Sequence, residues 1–165
     1  MNLSVIGVLI IAIAGYLFTA DYSLSLTGRV KEYKSIVQLL EFIASSLSSS
    51  SEPIGDIVNN FLKRGHTVSN YISKMYSFKN GRFELVREPS EERDTLLSQK
   101  DREKIKKTFS EYGRYGIDEQ RRILSDAKAH FVARLREVEA ESEKNKKAAG
   151  LIFVALFVGA FILVV

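Results

Sequence analysis

The chain contains no cysteine and no tryptophan, and only two prolines and two histidines. The absence of cysteine excludes disulfides, iron–sulfur clusters and thiolate zinc sites. So few prolines leave long stretches without a helix breaker, which favours helix over a turn-rich sheet. His66 and His130 stand apart and belong to no HExxH or comparable pair. With no local cluster of three or four ligands, a metal centre has nothing to form around. Also missing are a Walker glycine–lysine loop, a dinucleotide fingerprint and a GxSxG elbow.

Charge is absent from both ends of the chain. Residues 1–20 and 148–165 carry no charged side chain, so all 24 basic and 20 acidic residues lie between positions 21 and 147. Residues 3–20 and 148–165 are continuously apolar, and as helices each would measure about 27 Å. That nearly matches a hydrocarbon layer of roughly 30 Å, in which only a helix or a closed barrel can satisfy its backbone. No Lys or Arg precedes the first run, which argues against a cleaved signal peptide. The expected domain plan is a transmembrane helix at 1–20, a joint or helix extension at 21–28, a helical domain at 29–147 and a second transmembrane helix at 148–165. The fold class expected is all-α, a cytoplasmic helical bundle between two membrane helices.

Orientation follows from the basic residues flanking each run. Arg29, Lys31 and Lys34 follow the first, and Lys144, Lys146 and Lys147 precede the second. Both termini are therefore expected outside and the middle in the cytoplasm. The same cations suit an anionic membrane surface.

Within the middle, Val30, Tyr33, Val37, Leu40, Ala44 and Leu47 recur at helical spacing, and Ile36, Phe42 and Ile43 widen the stripe. After the serine connector at 48–51, Ser51-Glu-Pro53 reads as a cap with proline in the first turn. The next face is Ile54, Ile57, Val58, Phe61 and Leu62, with Gly65 as the stop. A short third helix would carry Val68, Tyr71, Ile72, Met75 and Phe78, ahead of a turn at Asn80-Gly81. Phe83, Leu85 and Val86 alternate imperfectly: they could form one short strand, but core positions in an irregular connector are the preferred expectation. A helix is expected to start at Pro89–Asp94 and end at Leu97. Ser98 or Asp101 caps the next, which carries Ile105, Phe109 and Tyr112. Gly113 and Gly116 bracket a break, and Asp118 is the expected N-cap of a long helix. Its stripe is Ile123, Ala127, Phe131, Leu135 and Val138. No Gly or Pro interrupts it before Gly150, so it is expected to run into the second membrane segment.

Asp94, Asp101, Asp118 and Asp126 each have a role as cap, turn or solvent-facing charge that is simpler than paired-acid chemistry. Lys104, Lys106, Lys107, Arg121 and Arg122 flank Tyr112 and Tyr115, but acidic residues interrupt them. Nucleic acid requires a coherent positive field, and none is expected as a partner. Glu143 and Lys147 have the spacing of a helix-supporting ion pair. No catalytic, cofactor-binding or metal-ligating residue is expected.

Taken together, the first apolar run, the Tyr33–Leu47 stretch, Glu52-Pro-Ile-Gly-Asp56, Asp101 ahead of Phe109, Tyr112-Gly-Arg-Tyr-Gly-Ile-Asp-Glu-Gln120, the charged helix ending at Lys147 and the terminal apolar run form an ordered constellation. It resembles the stage III sporulation protein AB family, whose members belong to the transport complex between mother cell and forespore in endospore formation. The resemblance implies a non-enzymatic membrane platform component. Its middle domain is similar to the helical cytoplasmic domain of the platform protein of type II secretion and type IV pilus systems. It further implies a secretion-type ATPase and the complex's other membrane components as partners. Gly113, Gly116, Asp118 and Gln120 are the structural or partner-binding candidates. The chain departs from the family in lacking a mid-chain tryptophan, in a poor match around Arg82–Pro89 and in tighter spacing at Asp118–Gln120. The alternatives from other classes are an independent membrane-anchored regulator or enzyme and a helical binding module.

Overall fold

In the computed structural model, residues 3–47, 53–79, 82–85 and 96–164 are described. Their elements are α1 (Leu3–Leu47), α2 (Ile54–Lys63), α3 (Asn70–Met75), β1 (Tyr76–Lys79), β2 (Arg82–Leu85), α4 (Gln99–Glu111) and α5 (Ile117–Val164). The class is all-α with one small hairpin. The chain divides into two compact units. One is Arg29–Arg136. The other joins the residues up to Gly28 with those from Glu137 on.

The Arg29–Arg136 unit holds most of the core. On α1, Tyr33, Ile36, Val37, Leu39, Leu40, Ile43 and Leu47 are buried. So broad a buried face means that α1 is covered by more than one neighbour. Ile57, Val58 and Phe61 of α2, Tyr71, Ile72 and Met75 of α3, and Ile105 and Phe109 of α4 are buried as well. On α5, Leu124, Ala127 and Phe131 are buried. Each large side chain withdrawn from water contributes about 1.5–3 kcal/mol. Ring contacts join Tyr33 to Phe131 at 6.3 Å, Phe42 to Phe61 at 5.3 Å and Tyr76 to Phe109 at 5.4 Å between centroids.

Local chemistry sets the helix ends. At the end of α2, Arg64 donates its amide to the Asn60 carbonyl and Gly65 to that of Leu62, at 3.2 and 3.0 Å. Gly65 takes φ +82°, as a left-handed helix stop requires. Pro53 precedes α2 as its N-cap residue and does not occupy the first turn as expected, while Ser51 and Glu52 lie outside the described residues. The N-terminus of α3 is closed from two sides. The Ser69 hydroxyl accepts from the Ile72 amide at 3.1 Å. The buried Glu32 carboxylate of α1 accepts from the amides of Asn70 at 3.0 Å and Tyr71 at 2.8 Å. A six-residue helix is too short to persist unaided. Glu32→Ala is therefore expected to cost about 1–3 kcal/mol. Amide exchange at residues 70–72 should rise well above the wild-type rate, with smaller changes in α4.

The sequence-based reading fails at two neighbouring places. The third helix stops at Met75, and Phe78 lies in β1 instead. Phe83 and Leu85 lie in β2, so the short-strand alternative holds there and the preferred irregular connector does not. The strands pair antiparallel with Tyr76 opposite Leu85 and Phe78 opposite Phe83. Ser77 faces Glu84 and Lys79 faces Arg82. In this register apolar positions stand opposite apolar ones and polar opposite polar, a period-two pattern visible only across the pair. Asn80-Gly81, Val86 and the helix start at Pro89–Asp94 lie outside the described residues, and residues 96–98 are not helical.

The other unit is built from the ends of the two longest helices. Residues 21–28 form no joint, because α1 runs through them unbroken. Ser25 and Thr27 donate their hydroxyls to the carbonyls of Tyr22 and Ser23, each at 2.8 Å. Leu26, Val138 and Ser142 are buried. Ile10, Ile13 and Leu17 on α1, and Leu151, Ile152, Val154 and Val158 on α5, are all at least half exposed. The α5 helix passes through Gly150 without a break. Residues 3–20 and 148–164 are therefore helical. Among the described residues, no helix is long and apolar enough to cross a membrane.

Candidate functional site: a buried polar cluster and a groove at the α4–α5 turn

Ser98 is the N-cap of α4, and its hydroxyl accepts from the Asp101 amide at 3.2 Å. The same hydroxyl donates to Asp101 Oδ2 at 2.5 Å. This local motif turns the Asp101 side chain inward, where it is fully buried. Tyr33 of α1 donates its phenol to Oδ2 at 2.6 Å. His130 of α5 places Nε2 2.7 Å from Oδ1. One turn further along α5, Arg134 Nε lies 3.5 Å from Oδ2. A single carboxylate thus joins α1, α4 and α5.

Burial pushes the Asp101 carboxyl up, but hydrogen bonds from Ser98, Tyr33 and His130 and the Arg134 charge outweigh it, so the group sits below its ordinary value. For Tyr33, burial raises the phenol, and the bond to Asp101 and the charge of Asp101 raise it further.

This cluster resembles catalytic machinery in composition but not in connectivity. A nucleophilic serine must give its proton to the histidine. Here Ser98 donates to the carboxylate, so His130 cannot activate it in this arrangement. Among the described residues, no group of three or more metal-ligating side chains converges. The cluster functions as a clamp between helices. The sequence-based reading gave Asp101 a role as cap, turn or solvent-facing charge, found His130 in no motif, and placed Tyr33 in the apolar stripe. The available signal was His130 and Arg134 on one α5 face, beside the buried positions Ala127 and Phe131.

The candidates named from sequence lie at the turn from α4 to α5. Gly113 follows the α4 C-cap Tyr112 with φ +79°, a conformation that disfavours any side chain. Gly116 has no such angle, and a β-carbon there meets nothing within 4 Å. Asp118 is not the N-cap, because α5 begins at Ile117 and places Asp118 in its first turn. Its side chain is exposed, 3.5 Å from Arg121. Gln120 folds back and donates Nε2 to the Tyr115 carbonyl at 2.6 Å.

A groove of about 560 Å³ opens beside this turn, walled by Leu47, Pro53, Ile54, Tyr112, Tyr115 and Ile117. Gly113 and Gln120 border it, whereas Gly116 and Asp118 do not. Tyr115 and Ile117 are large, apolar and substantially exposed. The basic residues on α5 nearby are engaged locally: Arg121 faces Asp118, and Arg122 faces Glu119 at 2.6 Å.

Of the flanking cations, Arg29 is half-buried, and Lys31, Lys34, Lys144, Lys146 and Lys147 are exposed. The Glu143–Lys147 pair expected from spacing is absent from the ion pairs of the described residues.

No curated protein and no solved structure matches the chain. A family model described as stage III sporulation protein AB matches residues 4–165, from the first apolar run to the last. The chain belongs to the stage III sporulation protein AB family.

Proposed function

We propose that this protein is a non-enzymatic membrane platform component of the mother cell to forespore transport complex, with two membrane spans and a cytoplasmic domain on the mother-cell side. The family gives the coarser statement, a role in stage III of sporulation. The observation that carries the finer reading is the full-length family match, which includes both uncharged helical ends with the clamped helical domain between them. Residues 3–20 and 148–164 are helical and carry no charge, and their large apolar side chains are exposed wherever the structure describes them as such. Such surfaces suit lipid. The basic flanks favour the cytoplasm for the middle.

The groove beside Gly113 and Gln120 is the proposed contact for the secretion-type ATPase or another component of the complex. Its exposed aromatic and aliphatic walls fit the anchoring part of a protein interface. Affinity capture of tagged full-length protein from sporulating cells tests both points. Recovery of the neighbouring ATPase and membrane components is expected. An unrelated partner set, with those components missing at matched expression, sinks the platform reading. Ile117→Glu places an acid at a helix N-terminus, where the backbone tolerates it. Recovery of the ATPase should fall roughly 30-fold, as for an interface hot spot, with thermal unfolding unchanged.

A further inference from the structure

The six flanking cations are not equivalent. Lys144, Lys146 and Lys147 lie within one turn of Ala148, where the uncharged part of α5 begins. All three are exposed, and among the described residues none has an acidic partner within 4 Å. On α1, the first charged residue after the uncharged end is the acidic and exposed Asp21. Because α1 is helical through 21–28, Arg29 comes nine residues after Ala20. The headgroup zone on each side of the hydrocarbon is only about 5–8 Å deep. On α1 Asp21 and seven uncharged residues thus separate the first cation from the uncharged segment, whereas on α5 Lys147 adjoins it directly.

We propose that Lys144, Lys146 and Lys147 form a binding site for the headgroups of anionic phospholipids, and that Arg29, Lys31 and Lys34 take no part in it. The site rests on the reading that residues 148–164 lie in lipid. Its backbone positions lie within about 6 Å of that segment along the helix, and the lysine side chains are long enough to meet phosphates in the headgroup zone. Three unpaired lysines on one turn attract anionic lipid over zwitterionic lipid, and salt weakens the attraction. On the α1 side, Asp21 repels the same headgroups, so the bound lipid gathers around α5.

The test uses full-length protein in phosphatidylcholine bilayers that contain a trace of spin-labelled phosphatidylglycerol or spin-labelled phosphatidylcholine. Wild-type protein should restrict the anionic label at least about threefold more strongly than the zwitterionic one. Lys144→Gln/Lys146→Gln/Lys147→Gln should bring the two close to parity, whereas Lys31→Gln/Lys34→Gln should leave the preference intact. Equal restriction by the wild type, or loss of the preference only in the second variant, overturns the site. Phosphate should displace the lipid no better than chloride at equal ionic strength. Selective displacement by phosphate would mean a free-anion site and overturn the lipid assignment. Alkaline extraction of the same samples separates the two levels. Protein retained in the bilayer without lipid preference removes only the headgroup site, and protein released removes the membrane reading with it.

Discussion

Asp101→Ala should lower the thermal unfolding midpoint of the full-length protein by more than about 10 °C, the largest effect expected of any single polar substitution in the chain. The carboxylate is the common acceptor for Tyr33, Ser98 and His130 and lies beside Arg134. Removing it leaves a phenol, an imidazole and part of a guanidinium facing a cavity with no counter-charge. Breaking a buried charged network from one side costs about 3–5 kcal/mol, a large share of the 5–15 kcal/mol that typically stabilises a domain. Asp101→Asn keeps the shape and one acceptor, so it should cost less, about 1–3 kcal/mol. Tyr33→Phe removes one donor and should cost less again. The chain has seven tyrosines and no tryptophan, so near-ultraviolet circular dichroism reports the packing of tyrosines such as Tyr33 without a dominant indole signal. If Asp101→Ala melts at the wild-type temperature, the clamp does not hold the helices together.

The same carboxyl dictates a pH dependence. It sits below its ordinary value of 3.8 in the folded protein. The unfolded chain therefore binds the proton more readily, and acid favours unfolding. The contribution is complete above the ordinary carboxyl range and is lost as pH falls through the lower folded value. Acid unfolding of Asp101→Asn should lack that component.

The second large effect is one of access. The chain has no cysteine, so a single introduced thiol is the only one present. Glu143→Cys places it on the exposed face of α5 just before the uncharged segment. In intact cells a membrane-impermeant maleimide should leave it unlabelled, and it should react fully once the membrane is permeabilised. Asn2→Cys should show the reverse, reacting before permeabilisation. Nearby Lys144 and Lys146 favour the thiolate at position 143, so lack of labelling in intact cells cannot be blamed on a sluggish thiol. Labelling of Glu143→Cys in intact cells at the permeabilised rate would falsify the cytoplasmic placement of the middle, and the ATPase partnership would fall with it. The two predictions are independent, because Asp101 concerns how the Arg29–Arg136 unit holds together and Glu143 concerns which side of a membrane it faces.

Much of the helical framework was legible in the order of residues. The Tyr33–Leu47 stripe, the α2 face with its Gly65 stop and the Ala127–Phe131–Val138 series all depend on helical spacing, a property of neighbours in sequence. The hairpin was legible only as one possible short strand around Phe83 and Leu85, because each strand has four residues and the alternation emerges only when the two are aligned. The N-cap role given to Asp118 also failed. Ile117 already adopts helix after Gly116, so the aspartate falls one turn position inside.

By itself, the sequence determined the helical class, the uncharged ends, the absence of thiol chemistry and the family. These follow from composition, from local periodicity and from motifs whose members lie near one another along the chain. Only the tertiary structure decided that Asp101 is a buried acceptor shared by three helices, because Tyr33 and Asp101 stand 68 positions apart and His130 a further 29. Nothing in a linear pattern distinguishes a capping aspartate that faces water from one turned into the core. That difference depends on which helices close over it.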